Sequence, residues 1–281
     1  MPELPEVETI CRGLAPLIIG KTIVAIEASG KSLRQEVPLA AMRAALPGQT
    51  IKAIRRRAKY LLIECQGKGK RDGGLLIIHL GMTGNLGVFT TGQPLGKHCH
   101  VRFCFAGGDE LRYHDSRRFG RIAFLPAPFA EAERQFFAAC GPEPFDGDAA
   151  LLAEKCRRLQ TPVKAVLLNG ALLAGIGNIY ASESLFRARI DPRRATGALT
   201  LAEWRCLLTA IQEVLHEAIV CGGSTISDYV NAEQKSGCFQ MNFTVYGRAG
   251  EPCHHCGTAI AQTKIAGRST FFCPKCQGEN G

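Results

Sequence analysis

The chain has 281 residues, 46% of them hydrophobic, which suits two compact domains and an appendage better than a single core. A formal charge of +9 and a pI near 9.0 point to a polyanionic partner, nucleic acid before an acidic membrane surface, because fixed cations gain affinity by releasing counterions condensed on phosphates. No stretch reaches the roughly 18 apolar residues of a membrane span, and Met1 to Gly13 carries three glutamates where a secretory signal needs a basic start, so a reducing cytoplasm and no membrane are expected.

Pro5 suits the start of a helix, Glu6 and Glu8 favour its positive end, and Val7, Ile10, Cys11 and Leu14 form an i, i+3, i+4, i+7 stripe, so an N-terminal amphipathic helix is expected. Short β-branched or alternating runs follow at 22–28, 50–54, 60–65, 75–80, 101–105, 110–114 and 121–125, a spacing that favours a β-sandwich or barrel. Gly67 to Gly74 reads as a hairpin tip between two of them. Pro126-Ala127-Pro128 ends the strands, and the composition turns to Ala, Leu and Glu, which places a domain boundary near residue 130. Helical segments are expected from near Pro162, Asn178 and Thr200. The last buries Trp204, Leu207, Leu208, Ile211, Leu215 and Ala218 and stops at Gly222-Gly223.

Cys253-x2-Cys256-x16-Cys273-x2-Cys276 has the spacing of a tetrahedral zinc knuckle. A closed shell of four thiolates leaves no open position for hydrolysis, so one structural Zn²⁺ is expected. Without a metal the tail holds too little apolar surface to fold. The nine other cysteines (11, 65, 99, 104, 140, 156, 206, 221, 238) read as small core residues.

At the opposite end, removal of Met1 would leave Pro2 as a secondary amine beside Glu3. A generic α-amino group is roughly 10% unprotonated at pH 7, against roughly 0.04% for lysine. Condensed with a sugar carbon, proline forms an iminium that has no N–H to lose and therefore persists as an electron sink. Met-Pro starts are also common in proteins with no such chemistry. Arg55 to Tyr60, His79 to Gly84 and Asp115 to Gly120 add cations, glycines and apolar side chains that suit a DNA-facing rim. In it Met82 and Phe119 would serve as wedges and Arg117 as a donor fork, with plain packing the alternative for each. Gly170 to Tyr180 reads either as two tight turns offering amides and Asn178 to a phosphate or as a plain helix connection.

Taken in order, MPELPEVET, RAKYLL, HLGMTG, KHCHVRF, DSRRFG, GIGNIYASE, VYGR and GRSTFFCPKCQ resemble the formamidopyrimidine-DNA glycosylases, bacterial enzymes that repair 8-oxoguanine, from Met1 to Gln277. The resemblance implies an α+β multidomain protein: an N-terminal β-sandwich with a flanking helix (1–130), a helical helix-two-turns-helix DNA-binding domain (131–240) and a C-terminal zinc finger (241–281). DNA would lie between the halves. It implies a monomeric glycosylase and lyase acting on duplex DNA that contains oxidised bases or abasic sites. By the same resemblance Pro2 is the Schiff-base nucleophile, Glu3 the proton donor for ring opening, Lys59 the β-elimination acid/base and Arg268 the δ-elimination donor. Met82, Arg117 and Phe119 would enter the duplex, with Arg117 facing the widowed cytosine. His98, Asn178, Tyr246 and Arg268 would contact the backbone, as would His79 on the rim. Leu159 stands where the family has a DNA-contacting lysine, a role that falls to Arg157 or Arg158, and Ala58 stands where the family often has glycine. Residues 225–239 resemble a mobile lesion-recognition loop. Two rivals remain: an endonuclease VIII-like enzyme for oxidised pyrimidines, and a noncatalytic zinc-ribbon DNA-binding protein.

Overall fold

The computed structural model of the protein describes residues 2–67, 73–90, 92–224 and 239–278. Helix α1 (Leu4–Ile18) buries the expected stripe of Val7, Ile10, Cys11 and Leu14, together with Leu4 and Ile18. It packs on two four-stranded antiparallel sheets. One has the order β1-β6-β7-β5, from strands β1 (Ile23–Ala28), β5 (Gly84–Thr90), β6 (Cys99–Phe105) and β7 (Asp109–Asp115). The other has the order β2-β3-β4-β8, from β2 (Thr50–Arg57), β3 (Tyr60–Gln66), β4 (Gly73–His79) and β8 (Arg121–Pro126).

Period-2 alternation sorts the side chains. Leu61, Ile63 and Cys65 of β3 and Leu76 and Ile78 of β4 point into the core shared with Phe103, Leu111, Tyr113 and α1. Leu62, Leu75 and Ile77 point the other way, under Phe129, Phe136 and Phe137 of the segment around α3 (Ala130–Phe136). Strand β4 is therefore covered on both faces, which explains its unbroken apolar run. Helix α3 belongs with the strands, although the composition changes before it. A short helix, α2 (Leu39–Ala45), contributes Met42 to the same core.

Strand β5 is the one that periodicity does not reveal, because two glycines interrupt its pattern. A Cβ on Gly84 would lie 2.2 Å from the Leu80 carbonyl oxygen and 2.6 Å from the Tyr113 hydroxyl, so close approach of backbone demands glycine there. The turn expected at residues 67–74 falls partly on 68–72, outside the described residues; Gln66 pairs with Gly73 at its base.

The chain divides into two compact units, Met1–Ala138 with Gly222–Cys238, and Ala139–Cys221 with Phe239–Gly281. The second holds helices α4 (Ala149–Cys156), α5 (Val163–Asn169), α6 (Asn178–Arg187) and α7 (Leu201–Val220), and the hairpin β9 (Ala261–Ile265) and β10 (Arg268–Phe272). A reciprocal capping box of Thr200 and Glu203 starts α7, whose buried face includes every residue expected from its sequence. Ile179 to Phe186 of α6 are all buried, between α5, α7 and β10. Among the described residues no helix is long and apolar enough to cross a membrane.

The cysteines depart from expectation. Cys11, Cys65 and Cys156 are buried, but Cys99, Cys104, Cys140 and Cys221 are only half-buried and Cys206 is exposed; Cys238 lies outside the described residues. Cysteine is usually buried as a small hydrophobe, but composition alone does not place any one of them.

Candidate functional site

In the first unit, Pro2 and Glu3 are both buried at the head of α1, where Glu3 is the residue before the helix and its N–H donates to Glu6 Oε2 at 2.8 Å. The other oxygen of Glu6 accepts from Ser224 N at 2.8 Å and Ser224 Oγ at 3.0 Å. One turn along, Glu8 accepts from Arg12 and from Arg56 Nε at 2.8 Å. Burial alone would raise its pKa, but these guanidinium bonds hold it below the usual carboxylate range.

Arg56 also donates to the Ala58 carbonyl at 3.0 Å, tying α1 to the two-residue turn that carries Lys59 between β2 and β3. Ala58 has φ 53°, the left-handed conformation in which glycine costs least, so the departure noted at this position carries strain. Across the sheet from this turn, His79 lies with its ring 4.8 Å from that of Tyr60 and accepts from Gly81 N–H through Nδ1 at 3.0 Å. Burial first, then the charges of Lys59, Arg34 and Arg121, push its pKa down to about 4. His79 is therefore neutral at pH 7, and any contact it makes with a phosphate uses Nε2–H without a charge.

The turn after β4 and the turn after β7 lie against each other. A Cβ on Gly81 would sit 2.5 Å from the Gly120 nitrogen, so the two backbones touch. Met82 is half-buried outside the apolar cores, and Phe119 is 45% exposed with the Arg117 guanidinium 4.6 Å from its ring centre. His98 is exposed, and its carbonyl accepts from Asp115 N at 3.0 Å. Four of the expected DNA contacts thus gather at one edge of this unit.

In the second unit, three more gather on the β9–β10 hairpin. Ala266 (φ 49°) and Gly267 (φ 74°) form its two-residue turn, and Arg268 follows, exposed. Asn178 opens α6 but is not simply presented to a ligand: its amide nitrogen donates to the Ser269 carbonyl at 3.0 Å, while its buried Oδ1 has no hydrogen-bond partner among the described residues. Tyr246 stacks edge-on against Phe271, 5.2 Å between ring centres. Arg157, Arg158 and Leu159 are exposed beyond α4, away from this set in sequence and element, with Arg157 3.6 Å from Glu154.

The four cysteine sulfurs lie within 4.8 Å of one another, with Cys253–Cys276 at 3.9 Å and Cys256–Cys273 at 3.4 Å. A zinc ion bound by thiolates at about 2.3 Å requires sulfurs about 3.8 Å apart, so the set fits a tetrahedral ion. The ion would hold Cys253, Ile260 and Cys273 against Phe186 and Val245 in one apolar cluster.

Comparison with known proteins agrees with this architecture. The Formamidopyrimidine-DNA glycosylase N-terminal domain matches residues 1–122, the Formamidopyrimidine-DNA glycosylase H2TH domain 140–230, and the Zinc finger found in FPG and IleRS 250–278. The formamidopyrimidine-DNA glycosylase of Dechloromonas aromatica is 45% identical over 280 residues, 99% of this chain and all of the relative. That of Alkalilimnicola ehrlichii is 46% identical over 286 positions, with the same coverage. The chain belongs to the formamidopyrimidine-DNA glycosylase family. A Lactococcus lactis Fpg variant in complex with Fapy-dG containing DNA superposes with a TM-score of 0.90 at 38% identity, over 99% of this chain and all of that one. The Lactococcus lactis Fpg with abasic-site DNA gives 0.88 at 38%, with the same coverage.

What sequence reasoning missed in this DNA glycosylase are the buried charged residues beneath its loops. Glu183 of α6, 4% exposed, accepts from Val245 N at 3.0 Å and Tyr246 N at 2.8 Å through one oxygen and from Thr244 N at 2.9 Å through the other. It fixes the turn that carries Tyr246. Lys164, fully buried in α5, donates to Thr270 Oγ1 at 2.9 Å and to the Ser269 carbonyl at 3.2 Å, bracing the hairpin of Arg268. A charge inside the apolar run 163–168 was the available sign for Lys164, since such groups stay buried only when paired; Glu183, flanked by two serines, offered none.

Proposed function

We infer that the protein removes oxidised purines, 8-oxoguanine and formamidopyrimidines, from duplex DNA and then nicks the abasic site by β,δ-elimination through a Schiff base on Pro2. The observation that carries this reading is the buried Pro2-Glu3 pair at the positive end of α1 in a chain of this family. With Met1 removed, the Pro2 nitrogen attacks C1′ and the base leaves. Glu3 protonates the ring oxygen as the sugar opens to an iminium. The iminium acidifies C2′, Lys59 takes that proton and the 3′ phosphate departs; a second elimination, with Arg268 as donor, expels the 5′ phosphate. The strand is cut without water attacking phosphorus.

Extruding the base costs a few kcal/mol, which Met82 and Phe119 offset by filling the stack while Arg117 meets the orphaned cytosine. His98, Asn178, Tyr246, Arg158 and neutral His79 would hold the backbone. The division of labour runs 1–130 for chemistry, 131–240 for helical DNA binding and 241–281 for the zinc finger. Cys253, Cys256, Cys273 and Cys276 would hold one Zn²⁺, which supplies folding energy and no catalysis. Support for the partner comes from the relatives, whose crystal structures contain DNA with Fapy-dG or an abasic site.

Incision of duplexes holding 8-oxoguanine opposite cytosine, against duplexes holding thymine glycol, tests the choice of lesion. Faster cleavage of the purine lesion is expected; faster cleavage of the pyrimidine lesion would transfer the protein to the endonuclease VIII type.

A further inference from the structure

Asp115 closes β7, and none of the roles above uses its side chain. It is fully buried, yet it carries a carboxylate on which four donors converge. Thr83 Oγ1 (2.5 Å) and Arg117 N (3.3 Å) donate to Oδ1; Gly120 N (2.8 Å) and Tyr113 Oη (3.2 Å) donate to Oδ2. Burial and the neighbouring carboxylate push the Tyr113 phenol pKa up, so it remains a donor. The Thr83 hydroxyl, while donating to Asp115, accepts from Arg117 N at 3.1 Å. Through its main chain Asp115 also binds the His98 carbonyl, and its own carbonyl meets His100 Nε2 at 2.9 Å.

The geometry points to Asp115 as a positioning residue, whose carboxylate clamps the Met82-Thr83 turn to the Arg117–Phe119 turn so that both wedges and the donor fork enter DNA as one preformed unit. This rests on the glycosylase reading given above. The wedge side chains sit on turns, which lack the ladder bonds that hold strands, and Asp115 is the point where both turns acquire a shared acceptor. An acceptor is needed on each arm, because the Arg117 and Gly120 N–H groups can only donate. An asparagine would turn an NH₂ group towards donors on one arm and leave them unpaired in a buried site. Loosened turns lose the orientation that makes insertion effective, and the demand for insertion falls on extruding an intact lesion rather than on a site whose base has already gone.

The test compares release of 8-oxoguanine with nicking of a preformed abasic site in the full-length protein, opposite cytosine and opposite adenine. In Asp115→Asn the ratio of base release to nicking is expected to fall at least tenfold, and the preference for cytosine to narrow. Thr83→Val should shift both in the same direction by less, and Thr83→Ser, which keeps the hydroxyl, should restore them. An unchanged ratio and preference in an Asp115→Asn protein that melts like the parent overturns the assignment. If that variant does not fold, an unchanged ratio in Thr83→Val does so. Absence of any borohydride-trapped adduct in the parent protein removes the lyase reading itself, and this proposal with it, which is a failure distinct from the first two.

Discussion

The carboxylate of Glu6 joins the head of α1 to Ser224, accepting Glu3 N–H on one oxygen and both the N–H and the hydroxyl of Ser224 on the other. The backbone beside Pro2 and the residue that leads into 225–238 are thereby fixed to a single buried group. Glu6→Gln puts an amide NH₂ against one of these donor sets. A loss of about 1–3 kcal/mol in unfolding free energy is expected, the cost of stranding buried donors. Denaturant melts measure it; unchanged stability would show that the two arms are not coupled as described.

Ala58 holds a left-handed backbone conformation at the turn before Lys59. Replacing it with glycine removes that strain and should stabilise the protein by about 0.5–1 kcal/mol, the gain being tempered by the freer unfolded chain. Equilibrium unfolding of Ala58→Gly checks this. A destabilised variant would mean that the side chain earns its place by packing, since Ala58 is buried.

His79 gives stability a pH dependence of known sign. Its folded pKa, about 4, lies below the ordinary value near 6.5, so between these the unfolded chain binds more protons. Its contribution is fully present above pH 6.5 and is lost as pH falls towards 4, by roughly 3–4 kcal/mol for the whole shift. The expected observation is a shallower fall in melting temperature over this range for His79→Gln than for the parent. Identical slopes would contradict a buried neutral imidazole.

The cysteine sulfurs stand at the separations a zinc ion requires, and Gln277 links them inward, accepting from Cys273 N at 2.8 Å and donating to the Ile190 carbonyl at 2.9 Å. Cys273→Ser should lower bound zinc well below one per chain and weaken binding to lesion DNA, because Arg268 and Phe271 lose a fixed hairpin. Metal analysis together with a binding titration decides it. Full zinc content in the variant would remove Cys273 from the ligand set.

Helix α1, helix α7 and seven of the eight sandwich strands were legible as hydrophobic periods, which report burial of one face. Strand β5 was not, because its Gly84 answers to the Leu80 backbone and the Tyr113 hydroxyl, neighbours set by tertiary structure. Within the site, the CxxC pairs could be read from residue type and spacing alone, whereas the Pro2-Glu3 start, common in proteins without such chemistry, takes its meaning from the family resemblance. Glu6, Asp115 and Glu183 could not. In a sequence each is an ordinary acid, and only folding reveals its partners: Ser224 for Glu6, Thr83 and the Gly120 N–H for Asp115, and the 244–246 backbone for Glu183. The eight described cysteines outside the CxxC pairs illustrate the same limit, with burial ranging from complete in Cys156 to slight in Cys206.

The central claim is that a terminal proline nitrogen captures the damaged sugar. Mass spectrometry of the borohydride-reduced complex with 8-oxoguanine DNA, after proteolysis, addresses it directly. The account predicts a chain lacking Met1 with the sugar remnant on Pro2. A remnant mapped to Lys59 or another internal lysine, or full activity in a chain that retains Met1, would contradict it.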